Sequence, residues 1–192
     1  MEISMHDLAI ESFAPMLRAL SEILQKGAAH SAAKGFPSEV LVDARLAPDM
    51  FSLAEQVEQA CSHARDATAR LTGRAPPSDD AGDDSIDSLR GRIAQTIAYL
   101  ERVPASAFAG AAEQQVEIPM PNGGAIVMDG LQYLRDWALP HFYFHLVTAY
   151  AILRHNGVEI GKRDYLSRVA AYIRAPDAKA ATRKRTTRKS KR

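Results

Sequence analysis

LPHFYFHLVTAYAILRHNG, residues 139–157, is the stretch that decides the fold. It stays apolar for longer than a strand needs, carries histidines at 141 and 145, and closes on Asn156-Gly157, a helix-stopping pair. At about 100° per residue, His141 and His145 lie about 40° apart on a helical wheel. Leu134, Ala138, Ala149 and Ile152 fall within about 40° of His145 on the same wheel. Both imidazoles therefore sit in the stripe that should face other helices. A buried polar group costs about 1–3 kcal/mol unless it is partnered, so the arrangement requires something to meet these rings.

The helix is expected over residues 129–156, with Pro140 bending it or marking a fresh start. Residues 137–153 contain no Asp, Glu, Lys or Arg, which invites comparison with a membrane span. The run is at the short end of the roughly 17–25 residues that a span requires, and it contains Pro140, His141 and His145. A central helix buried on most sides is the better reading, and the chain is expected to be soluble.

Three further helices surround it. In residues 5–26, His6, Phe13, Leu17, Leu20 and Leu24 share one face; Pro15 predicts a kink near residue 12 and Gly27 a stop. A long connection over residues 28–48 leads to Ala47-Pro48-Asp49, a plausible helix start. Residues 49–72 carry Met50, Leu53, Val57, Ala60, Ala64, Ala67 and Leu71 in threes and fours, close to a heptad seam, and Gly73 ends them. After the loop APPSDDAGDD, a helix begins at Asp84 or Ser85, aligns Ile86, Leu89, Ile93, Ile97 and Leu100, and stops before Pro104. Between it and the last helix, QQVEIPMPNGGAIVM (114–128) alternates on both sides of Asn122-Gly123 and reads as a small hairpin. Its two prolines confine the first strand to an edge, and a lone hairpin must pack on the bundle or a partner.

Composition agrees with one globular unit. The 192 residues are 46% hydrophobic and 24% charged, enough for a real core. Cys61 is the single cysteine, so no disulfide forms within the chain; a reducing compartment, the cytoplasm, is expected. MEISMHDLAIESF lacks a basic segment followed by an apolar one, so no secretory signal is read. The net charge of +1 hides an asymmetry. Residues 175–192 hold eight Lys and Arg against Asp177, leaving 16 basic and 22 acidic residues elsewhere: about −6 for the body and +7 for the tail. The expectation is a helical domain over 1–174 and a disordered basic tail over 175–192. Such a tail can hold nucleic acid weakly through counterion release, although no aromatic interleaving accompanies it, and a solvated tail is the simpler reading.

No carboxylate lies on the core stripes of the first three helices to partner His141 and His145. The nearest ring on a good helix is His63, about 80° from the centre of the Leu53–Leu71 stripe and at matching depth. Two histidines at i and i+4 with a third from a facing helix make a three-nitrogen site with an open position, suited to Zn²⁺ or Ni²⁺. The competing reading is three core histidines satisfied by backbone carbonyls, tyrosines or water. His6 lies at the end of its helix and reads as structural, and Cys61 as a semi-buried thiol. No Glu-x-x-His, phosphate-binding glycine loop, G-x-S-x-G or Cys-x-x-Cys is present. Around 154–166, RHNGVEIGKRDYL reads as a solvated turn with an ordinary ion pair rather than an anion site.

RLAPDMF (45–51), QVEQAC (56–61) and LPHFYFHLVTAYAILRHNGVEIGKRDYL (139–166) resemble an uncharacterised domain-of-unknown-function family, bacterial and fungal, within the DinB/YfiT-like superfamily. The resemblance covers roughly residues 1–168. It implies an all-α, up-down-down-up four-helix bundle, frequently a homodimer. In other branches of that superfamily a helix-two histidine and an H-x-x-x-H pair on the last helix bind a divalent metal, and some branches are thiol-dependent transferases. His63, His141 and His145 match those places by helix and spacing, but in the family resembled here the place of His141 is often asparagine and the helix-two place is not reliably histidine. Two functions follow as expectations: a metal-dependent (thiol) transferase or hydrolase acting on a small electrophile, or a non-catalytic dimeric helical-bundle binding or stress protein with no metal.

Overall fold

The computed structural model describes residues 3–76 and 85–174. The basic tail over 175–192 and most of the APPSDDAGDD loop lie outside the described residues. Helix α1 spans Met5–Lys34 and starts from Ser4, whose hydroxyl accepts from the Asp7 N–H while Asp7 reaches back to the Ser4 N–H. The expected stop at Gly27 is wrong. The helix runs on to Gly35, which takes the left-handed φ of 73° that ends it. Gly27 serves packing instead: a Cβ there would lie 3.1 Å from Leu153 Cδ2, so its absence lets α1 approach the last helix closely.

Pro15 stays inside α1. Its missing N–H leaves the carbonyl of Glu11, four residues back, without a helical donor. Arg168 supplies one: its Nη1 donates to Glu11 O at 2.7 Å and its Nη2 to the Glu11 carboxylate at 2.5 Å.

The long connection includes a short helix, α2 (Glu39–Val42), that buries Leu41 and Val42. Helix α3 spans Leu53–Thr72, not 49–72. Ser52, rather than Asp49, caps it, because Ser52 and Glu55 form the reciprocal Ser-x-x-Glu pair that Asp49 cannot make. Arg45 holds the preceding turn, donating to Met50 O at 2.7 Å and pairing with Glu55 at 2.9 Å. Gly73 ends α3, as its sequence indicates. Helix α4 (Ile86–Arg102) is capped by Ser85 and ends before Pro104.

Strands β1 (Gln115–Pro119) and β2 (Ala125–Asp129) pair antiparallel, with Val116 opposite Met128 and Ile118 opposite Ile126. The hairpin docks on the end of α3: Gln114 Nε2 donates to Arg70 O at 2.9 Å and Arg70 donates to Glu117 O at 3.3 Å. Asp129 then caps a helical column over 130–155, made of α5 (Gly130–Gln132), a π-helical segment (Tyr133–Ala138) and α6 (Leu139–His155). The wider π turns sit where Pro140 withdraws its N–H from the ladder. The column thus passes the proline and ends at Asn156-Gly157, with Gly157 at φ 85°. Helix α7 (Lys162–Tyr165) follows, and its Asp164 pairs with Lys26 on α1 at 2.5 Å. Asp164 thus forms an ion pair, but with a lysine on α1 rather than within the 154–166 turn.

Named contacts give the topology. Phe13 meets Phe142 and Gly27 meets Leu153, so α1 and α6 run parallel. Glu58 pairs with Arg92, and the carbonyl beyond the end of α3, Arg74 O, accepts from Tyr99 near the end of α4, so α3 and α4 also run parallel. Gln56 meets His145 while His63 meets His141, so α3 and α6 oppose. The bundle is up-down-down-up. Among the described residues, no helix is long and apolar enough to cross a membrane.

Two glycines give a paired test. A Cβ on Gly130 would sit 1.8 Å from Ala111 O, whereas one on Gly91 in α4 would meet nothing within 4 Å. Gly130→Ala should destabilise by about 3 kcal/mol, and Gly91→Ala should stabilise by about 0.5–1 kcal/mol, both read as shifts in the urea midpoint.

Candidate functional site

The three histidines stand together between α3 and α6. The His63 ring centroid is 4.9 Å from that of His141 and 5.3 Å from that of His145. His145 is buried, and the other two are half-buried. Helix α6 presents its i, i+4 pair inward because Phe142, Leu146, Ala149 and Ile152 bury the flanks of the same stripe. His63 reaches the pair from the border of the α3 seam, whose centre is filled by Val57, Ala60, Ala64 and Ala67. Small alanines there let the two helices close, and a border ring can then swing into the gap.

The partners are not carboxylates. His145 Nδ1 lies 2.8 Å from Gln56 Oε1, and His141 Nδ1 lies 2.8 Å from the Trp137 carbonyl. An oxygen of either kind only accepts, so both Nδ1 atoms donate and both Nε2 atoms keep a lone pair when the rings are neutral. Gln56 was missed by a search for acids, yet it carried a signal. It lies seven residues before His63, two turns back on the same border of the α3 seam, and it is 1% exposed. Aromatic rings surround the cluster: Trp137 lies 4.4 Å from His141, Phe144 5.3 Å and Phe51 6.2 Å from His145, centroid to centroid. The ring planes of His63 and His145 are 13° apart, so these two imidazoles stack. Among the described residues, no group of three or more His, Cys, Asp or Glu is arranged as a ready metal-ligand set.

Burial, then the neighbouring His141 and His145, pushes His63 down to about 4, and burial followed by His141 lowers His145. The other candidates lie elsewhere. His6 packs edge-on against Phe108 at 5.6 Å, away from the cluster, and Cys61 is buried in the core.

The up-down-down-up order of α1, α3, α4 and α6 and the hairpin before the last helix define a DinB-like helical bundle. Residues 5–166 match the family described as Domain of unknown function (DUF1993), and the chain belongs to that family. A crystal structure of a DinB family member protein from Shewanella denitrificans is 40% identical, with a TM-score of 0.77, over 84% of this chain and 90% of that chain. No curated protein matches the chain.

The depressed pKa values give a pH dependence of definite sign. Above about 6.5 His63 is neutral whether folded or unfolded, and its contribution to stability is complete. Below that, the unfolded chain takes a proton that the folded ring refuses until the pH nears 4. Metal-free protein should therefore lose stability as pH falls from about 6.5 towards 4. His63→Gln should flatten that slope in urea titrations; an unchanged slope would exclude His63 as its source.

Proposed function

We propose that His63, His141 and His145 hold a divalent cation, Zn²⁺ or Ni²⁺, and that the protein is a metal-dependent thiol transferase or hydrolase acting on a small electrophile. The observation that carries this reading is the meeting of three imidazoles from two opposed helices, with Nδ1 of two of them tied to oxygen acceptors. Metal-ligating histidines characteristically donate their second nitrogen in that way. The donor set suits a borderline ion such as zinc, and three protein ligands leave a position open. When bound, a divalent ion supplies Lewis acidity, which activates a thiol or a water against the electrophile. The residues of this chain do the rest. Gln56 and the Trp137 carbonyl orient the two α6 rings.

Protein purified without a histidine tag and incubated with Zn²⁺ or Ni²⁺ should retain about one ion per chain by elemental analysis. At a free concentration a hundredfold above Kd the ion should add about 2.7 kcal/mol of stability. His145→Ala should abolish both effects. A stoichiometry near zero after loading would remove the reading.

A second reading, a non-catalytic homodimer, is favoured by Phe51, Phe144 and Val147, which are 46%, 59% and 46% exposed. The Phe51 and Phe144 rings lie on either side of the buried His145, 6.2 Å and 5.3 Å from it centroid to centroid. Phe144→Glu should convert such a dimer to monomer on sedimentation; a wild type that sediments as a monomer at high concentration would dismiss it.

A further inference from the structure

Gln56 has two ends with opposite chemistry. Its Nε2 lies 3.3 Å from the Phe51 carbonyl and its Oε1 lies 2.8 Å from His145 Nδ1. A carbonyl cannot donate, so the NH₂ end must face Phe51, and the amide is not free to turn over. Its oxygen must then face His145, and because that oxygen only accepts, the facing ring nitrogen must carry the proton. The Phe51 carbonyl is itself held. It immediately precedes Ser52, whose N–H donates to Glu55 at 2.7 Å, while Arg45 holds the neighbouring Met50 carbonyl at 2.7 Å. The chain of constraints therefore runs from the capping box of α3 through one buried amide to one imidazole proton.

We propose that Gln56 is a positioning residue that locks His145 in its Nδ1–H tautomer and so keeps Nε2 unprotonated as a donor atom for a divalent cation. Only the last step, donation to a cation, rests on the metal reading above; the tautomer stands without it. A neutral imidazole has one N–H, and wherever Gln56 holds it, the other nitrogen is free to donate. His141 has the equivalent restraint from a backbone carbonyl, which no side-chain substitution removes. Gln56 is the half of the device that can be exchanged.

The test is a ¹⁵N-histidine NMR spectrum of the full, metal-free chain at pH 8, with a Zn²⁺ titration alongside. Wild type should show the His145 proton on Nδ1. Gln56→Leu should shift His145 towards the Nε2–H form and weaken Zn²⁺ binding about 10–100-fold. Gln56→Glu, which keeps an acceptor oxygen, should restore both the Nδ1–H signature and most of the affinity, a rescue that a merely space-filling role does not produce. If Gln56→Leu does not fold, the wild-type and Gln56→Glu spectra still decide the tautomer. A wild-type proton on Nε2, or a tautomer indifferent to Gln56→Leu, overturns the proposal. Zn²⁺ failing to bind wild type while the tautomer moves as expected overturns the metal reading and sustains the lock.

Discussion

Placing imidazoles in the seam between two packed helices is tolerable only when their polar nitrogens are satisfied, and much else in this bundle answers to that constraint. The alanine-rich face of α3 lets α6 come close enough for His63 to reach His141 and His145. Gln56 occupies a position on the seam's border where an aliphatic residue would pack as well, because His145 Nδ1 needs an acceptor there. The carbonyl of Trp137 serves His141 from one turn earlier on the same column. The site is thus built by packing rather than by charge, and burial lowers the pKa of His63 and His145.

The parallel arrangement of α3 with α4 requires a long connection, which lies largely outside the described residues. The link from α1 to the antiparallel α3 is anchored by α2, by the Arg45 contacts and by the Ser52–Glu55 capping box. The segment after α6 is fastened in turn to α1, through Lys26 and Asp164 and through Arg168, which satisfies the carbonyl that Pro15 leaves open. A defect in one helix is repaired by a residue far along the chain.

Much of this was legible in the residues. The rotation of the last helix, the border position of His63, the hairpin register about Asn122-Gly123, the Ser85 cap and the Gly73 stop all follow from periodicity and capping rules that act locally. What escaped depended on contacts across the bundle. Gly27 resembles a helix stop until Leu153 is known to lie against it, and only then does Gly35 become the stop. Asp49 resembles a cap until the reciprocal Ser52–Glu55 pair is set beside it. Gln56 is harder to read, because the expected partner of a buried histidine is an acid and here it is a neutral amide. The centroid positions of the rings follow from the helix faces; their mutual tilt does not.

Trp137 is the single tryptophan of the chain, and its indole lies 4.4 Å from the His141 ring while its own carbonyl holds that ring's Nδ1. One residue therefore both steadies an imidazole and lies against its face. Because an indole's light emission responds to the charge and contacts of what touches it, the protein carries an intrinsic optical gauge of its histidine cluster. Rotation of the His141 ring can be followed without a label.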